Sequence, residues 1–344
     1  MSARLVGTNG GLALMLAPTT EARRWDDACR ASGQPVTAFH TYRWLTMAAA
    51  MTGTRFLPLV VISDGDDVGV APLLIRRRGV LSFANWVPFP YLGPLVPAAL
   101  LGACLDALQG VARRQGVIRQ QQSFPPGGTV DVEALGARGF STTEDQTYVV
   151  DTRRSEEELW AALERRCRKA IRKAEREGVR IRDAVDGGAL GAAVQGAFAA
   201  RGMHSGYRDP FPPSPERLAG LGLVVRYVVA IQEERVLGSV VAFAHDGAAL
   251  LWQGGVLPGF RGTQANVLLH WDAICWARRI GAHSFDLVGL PDEGIGRFKS
   301  QFGGSLHQYT VAQRNSALAR VIERPRHPAR ARLARAALPR RRHA

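Results

Sequence analysis

Two stretches of the chain share one alternation of apolar and polar positions. Residues 57–75 and 226–243 each open on an apolar, β-branched run, break at charged turn-forming residues, and resume around a small residue, Gly69 or Gly238. Strand, charged turn, strand is the pattern of an antiparallel hairpin. Before each hairpin lie segments of helical spacing, 21–30 and 41–51 before the first, 156–177 and 189–200 before the second. The recurring order helix, helix, hairpin predicts two copies of one α/β unit. The first copy ends near residue 150, where a strand-like segment at 141–150 links the halves. The second continues through a strand at 249–254, a helix at 264–280 and a strand at 284–288. The expected division is 1–150, 151–312 and a C-terminal arm, 313–344.

Residues 155–178 read as one helix. Ser155 and Glu158 form a capping box, Gly178 supplies the stop, and acidic residues crowd the start and basic ones the end, as the helix dipole prefers. Leu159, Trp160, Leu163, Cys167, Ala170, Ile171 and Ala174 recur every three or four residues and predict the buried stripe. The other faces carry Arg165, Arg168, Arg172 and Arg176 with Arg166, Lys169 and Lys173 beside them. Such density suits a surface that tracks tRNA phosphates. The competing reading is a solvated face tied by pairs such as Lys173 with Glu177.

Composition narrows the setting. A chain of 344 residues with 46% hydrophobic content can bury two cores of ordinary size. No apolar run reaches the roughly 20 residues of a membrane span, and no convincing signal peptide opens the chain, so a cytoplasmic location is expected. The four cysteines lie far apart without a CxxC pair, which reads as reduced structural thiols and no metal cage. A net charge of +14 favours polyanions such as tRNA, nucleotide-linked substrates or an anionic membrane surface. Residues 324–344 hold eight arginines interrupted by prolines. They read as a mobile arm able to touch RNA or lipid headgroups.

Familiar covalent and nucleotide motifs are missing: the sequence has no GxxxxGK[ST], HExxH or GxSxG. A coenzyme A site would need a glycine-rich turn at a helix N-terminus. The corresponding segment, 258–270, places Gln264 and Asn266 where glycines are wanted, so their side chains are expected to obstruct a pyrophosphate. No histidine is singled out.

The segments Phe285-Asp-Leu-Val-Gly289 and Gly296-Arg-Phe-Lys-Ser-Gln-Phe-Gly-Gly304, with the basic helix and Asn266-Val-Leu-Leu-His-Trp-Asp-Ala-Ile274, resemble the Fem family of peptidyltransferases, FemX-like or FemAB-like. The likeness covers much of the second half and, more faintly, residues 39–44 and 89–94. It implies an α/β fold of two tandem GNAT-like (acyl-CoA N-acyltransferase-like) domains with mixed central sheets flanked by helices. It implies as well an aminoacyltransferase that takes aminoacyl-tRNA as co-substrate, without a bound cofactor. The chain lacks the coiled-coil arm of the FemA-like branch. It also lacks the lysine that the family places one turn after Trp44 to help bind the uridine nucleotide of the cell-wall precursor, which argues against that acceptor.

Within the motif the resemblance assigns a functional Phe-Lys pair to Phe298 and Lys299. An aminoacyl ester is already activated, so the enzyme has chiefly to orient the amine and stabilise charge on the carbonyl or departing oxygen. A fixed ammonium at Lys299 does that. Phe298 is a candidate to stack on the terminal adenine, and Asp286 is expected to orient Lys299 or cap a turn. Candidate acceptor-binding residues are Tyr42, Arg43, Trp44, Tyr91, Arg208 and Gln253, with Arg208 a candidate for a bidentate grip on phosphate or carboxylate. The function expected is amide formation between an aminoacyl group and an amine, in a cell-wall precursor or a peptide-like secondary metabolite of the antibiotic kind. The alternatives are an acetyl-CoA- or acyl-CoA-dependent N-acyltransferase on a polysaccharide or amino-sugar, and a non-catalytic RNA- or membrane-binding module.

Overall fold

A computed structural model describes residues 6–9, 12–208 and 211–322. The arginine-rich segment from 323 onward lies outside them. The first half contains β1 (Val6–Asn9), β2 (Leu12–Pro18), α1 (Ala22–Ala31), α2 (Tyr42–Thr52), β3 (Arg55–Ser63), β4 (Asp66–Arg78), β5 (Leu81–Ala84), α3 (Leu101–Arg114), β6 (Val117–Ser123) and α4 (Val132–Ala137). Then come β7 (Ser141–Asp151), α5 (Glu156–Ala162), α6 (Arg165–Arg176), β8 (Arg180–Asp183), α7 (Gly188–Ala199), α8 (Pro215–Ala219), β9 (Val224–Gln232), β10 (Arg235–His245) and β11 (Ala248–Val256). The second half ends with α9 (Ala265–Arg279), β12 (Ser284–Asp286), α10 (Glu293–Ser300), β13 (Ser305–Asn315) and α11 (Ala317–Ile322). Residues 313–315 therefore continue a strand rather than begin an arm.

The two expected hairpins are β3–β4 and β9–β10, both antiparallel. Both shift register beside the glycine that breaks the pattern, Gly69 or Gly238. A Cβ at Gly69 would sit 2.1 Å from the Leu95 carbonyl oxygen, and one at Gly238 would sit 2.4 Å from that of Gly255. Only glycine admits backbone that close. After each hairpin a strand, a crossover helix and a parallel strand follow: β5, α3 and β6 in one half, β11, α9 and β12 in the other.

Among the described residues the strands join one sheet in the order β1-β2-β3-β4-β5-β6-β13-β7-β12-β11-β10-β9-β8. The last strand, β13, inserts between β6 and β7, pairing antiparallel with both. A segment from the end of the chain thus stitches the two halves.

Alternation along the strands sends neighbouring residues to different cores. On β3, Val60 joins an aromatic core, whereas Leu59 and Val61 face α3. On β10, Val241 and Phe243 join that same aromatic core, whereas Val240, Ala242 and Ala244 face the side of α6 and α9. One core is therefore shared by both halves, and Trp44 lies in it with no exposed surface. The four cysteines are buried as free thiols. No helix among the described residues is long and apolar enough to cross a membrane.

The helix expected over 155–178 is two helices. Its capping box forms as the sequence indicates, but Leu163 and Glu164 turn extended, with ψ of 141° and 148°. The break has a long-range partner and a local one: Glu164 N–H donates to the Gln301 carbonyl at 3.0 Å, and Arg168 reaches back to the carbonyls of Ala161 (3.0 Å), Trp160 (3.4 Å) and Leu163. A guanidinium placed there satisfies carbonyls that the end of α5 leaves without helical partners.

Candidate active site

The site arises from one short strand. β12 spans three residues and pairs β11 only through Leu250 and β7 only from Val149 onward. Beyond Asp286 one more bond, from Leu287 N–H to the Tyr148 carbonyl at 2.9 Å, reaches β7, and among the described residues no strand lies between β11 from Leu251 to Val256 and β7 toward Ser141. A cleft of about 1630 Å³ occupies this opening. Leu251–Val256 line one wall and Ser141, Thr143 and Asp145 the other, with α6, α7, the start of α9 and α10 around them.

Lys299 sits at the apex. It lines the cleft although only 7% exposed, and its ammonium donates to the carbonyls of Val288 at 2.6 Å and Gly289 at 2.7 Å. Burial lowers its pKa to about 8, opposed by the nearby Asp286 and Asp292 carboxylates. The turn it grips is strained, since Val288 has φ of 52°, a left-handed conformation that β-branched residues avoid. Asp286 holds the other side of that turn: its Oδ1 accepts from Val288 N–H at 2.7 Å and Thr147 Oγ1 at 2.5 Å, and its Oδ2 from the Tyr91 hydroxyl at 2.8 Å. Burial raises the Asp286 pKa despite these three donors. Asp286 thus caps the turn and reaches Lys299 through it.

The glycines after Phe302 serve packing. A Cβ at Gly303, where φ is 74°, would lie 2.7 Å from the Ala162 carbonyl oxygen, and one at Gly304 would lie 3.0 Å from that of Val149. Close backbone approach there seats α10 against the end of α5 and against β7. Phe302 is buried and Phe298 lies half-buried on the cleft wall, 5.4 Å from it edge to face.

The other candidates divide sharply. Gln253 lines the cleft and donates to the Tyr207 hydroxyl at 3.2 Å. Tyr91 is fully buried and meets the site through Asp286. Tyr42 packs on Trp25 and Phe56, Arg43 donates to the Gly220 carbonyl at 3.3 Å, and Trp44 packs among Phe39, Phe89, Phe243 and Trp252. Arg208 is exposed and lies over Gly53 at the C-terminus of α2, where Arg76 also donates to the Thr52 carbonyl. None of these four lines the cleft.

On α6, Arg165, Lys169, Arg172, Lys173 and Arg176 are exposed. Arg172 covers the Trp160 ring at 5.4 Å and Lys173 pairs with Glu177 at 3.7 Å. Arg166 lines the cleft, paired with Glu164 at 2.8 Å and donating to the Arg297 carbonyl. The glycine-poor loop has an unexpected shape: Gln264 takes the left-handed conformation, φ 59°, that a glycine would, and its side chain folds back to the Gly262 carbonyl at 3.3 Å. Gln264 and Asn266 both line the cleft at the N-terminus of α9.

Sequence reasoning passed over His270. It lines the cleft while 4% exposed, edge-on to Phe298 at 4.9 Å and stacked on Phe302 at 5.6 Å. The available signal was spacing: His270 is one turn beyond Asn266, as Phe302 is one turn beyond Phe298.

A family model described as acetyltransferase (GNAT) domain matches residues 161–300. No curated protein matches in sequence. Among solved structures, FemX is similar at 16% identity and a TM-score of 0.61, over 85% of this chain and 96% of that one. A tandem GNAT protein from the clavulanic acid biosynthesis pathway is similar at 15% and 0.58, over 88% and 98%. L-PGS from Bacillus licheniformis is similar at 12% and 0.53, over 93% and 98%. The acetyltransferase (GNAT) match lies within the second half, and in fold the chain is a tandem GNAT protein like FemX.

Proposed function

We propose that the protein transfers an aminoacyl group from tRNA to an amine, forming an amide bond. The observation that carries this reading is the buried Lys299 ammonium, fixed by two carbonyls at the apex of a large cleft. A charge held in place by the fold stabilises developing negative charge without reorganisation during the reaction. The amine attacks the ester carbonyl, the C–N bond forms, the C–O bond to ribose breaks, and the amine proton leaves through water or a substrate group to the departing oxygen. Lys299 stabilises the negative oxygen. The basic face of α6 borders the same cleft through Arg166 and Ala170, which supports a polyanionic donor. With the lysine after Trp44 absent, a peptide-like metabolite is the acceptor class that this reading favours over a cell-wall precursor, in a cytoplasmic setting.

A second reading, an acyl-CoA donor with a polysaccharide or amino-sugar acceptor, is favoured by the N-terminus of α9, whose first residues line the cleft. Incubation with tRNA charged with labelled amino acid, in parallel with labelled acetyl-CoA, separates the two. Ribonuclease-sensitive movement of the aminoacyl label to an amine is expected; transfer of the acetyl label alone would replace the first reading by the second.

The tRNA contacts are assigned to Arg165, Lys169 and Arg176, which are exposed and hold no ion pair among the described residues. Changing all three to Ala should weaken tRNA binding and reduce the slope of log K against log salt by about 2–3. An unchanged slope would make α6 a solvated face.

A further inference from the structure

The start of α9 holds two hydrogen-bond acceptors beside the cleft with no donor to fill them among the described residues. His270 Nδ1 lies 2.8 Å from the Asn266 carbonyl oxygen. A carbonyl only accepts, so Nδ1 carries the ring proton and Nε2 is left as an acceptor. Burial brings the His270 pKa down to about 4, so the ring is neutral near pH 7. One turn earlier, the Asn266 side-chain oxygen is buried without a hydrogen-bond partner among the described residues. Both residues line the cleft, and residues four apart on a helix share a face. Phe298 and Phe302 enclose His270, leaving its free nitrogen no polar neighbour on that side.

Two unfilled acceptors beside one cleft suit a ligand with two donors, the Asn266 amide turning to expose its buried oxygen. We propose that Asn266 and His270 receive the α-amino group of the donor, so that this site distinguishes an aminoacyl from a plain acyl substrate. The inference rests on the aminoacyl-donor reading and assigns its specificity. A neutral amine offers two N–H groups, one for each acceptor. The Lys299 charge, which acts on His270 electrostatically, favours that neutral form over an ammonium. An acetyl group offers no donor there and would leave both acceptors unpaired. Sites built to hydrogen-bond a substrate N–H reject analogues lacking it far more strongly than apolar pockets reject a missing methylene.

The test compares transfer from a mixture of aminoacyl-tRNAs with transfer from the same tRNAs after the α-amine is acetylated or converted to a hydroxyl. The unmodified donor should be preferred at least about 100-fold in kcat/KM. In Asn266→Leu/His270→Phe, whose new ring keeps the stack between Phe298 and Phe302, the preference should fall below about tenfold. Binding supplies a readout independent of turnover and of how the variant folds: the wild-type protein should hold an adenosine bearing a 3′-linked aminoacyl amide at least about tenfold more tightly than its deaminated counterpart. Equal affinity for the two, or a preference unchanged in the double variant, overturns the assignment. Transfer from native and blocked donors alike overturns the assignment and leaves the donor reading standing, whereas no transfer from any aminoacyl-tRNA overturns both.

Discussion

Lys299→Met should lower kcat about 10²–10³-fold while changing tRNA affinity less than about twofold, as expected when one preorganised charge is removed from a transition state. The geometry separates the two effects, because the ammonium is buried at the apex and the exposed α6 cations lie elsewhere. Parallel loss of binding and turnover would contradict the role. The pH profile gives a second measure. Lys299 is charged below about 8 and neutral above it, so the rate should fall as pH rises through 8. Its effect on stability has the opposite sign. An unfolded lysine keeps its proton to about 10.5, so between about 8 and 10.5 the unfolded state binds more protons and this group's contribution to stability rises with pH. Thermal melts at pH 7 and 9.5 therefore distinguish loss of charge from loss of fold, and the alkaline decline should disappear from the residual rate of Lys299→Met.

The parts legible in the sequence are those determined locally. The hairpins at β3–β4 and β9–β10 follow from period-two runs and their turns, and the Ser155–Glu158 capping box closes as its spacing indicates. The break at Leu163 and Glu164 was hidden because its partner, the Gln301 carbonyl, is distant in sequence. It also changes what Arg168 does: a residue counted with the phosphate-tracking face caps the end of α5. The left-handed backbone at Gln264 and its contact with the Gly262 carbonyl were not legible either, because a residue's size does not disclose its φ. The cleft itself was not legible. It exists because β12 stops after Asp286 while its neighbours continue, and no periodicity marks a strand that ends early. For the same reason Gln253 and Trp44 looked alike as candidates, although one lines that opening and the other does not.

Trp44→Ala should destabilise the protein by about 3–5 kcal/mol. The indole is fully buried and touches Phe39 and Phe89 of the first half and Phe243 and Trp252 of β10 and β11, at centroid distances of 4.9–5.8 Å. Removing it opens a cavity in the core shared by both halves, so urea unfolding should shift to a lower midpoint whether followed by a probe in the first half or the second. Trp44→Phe should cost far less, about 1.5 kcal/mol or under, because it keeps a ring in the site and deletes an indole N–H that has no partner in the core. The pair also tests the residue's candidacy as an acceptor ligand. A packing role predicts that Trp44→Phe leaves the acceptor KM unchanged per folded molecule. A raised KM with stability intact would instead show that acceptor binding depends on the indole, although the side chain is sealed from the cleft.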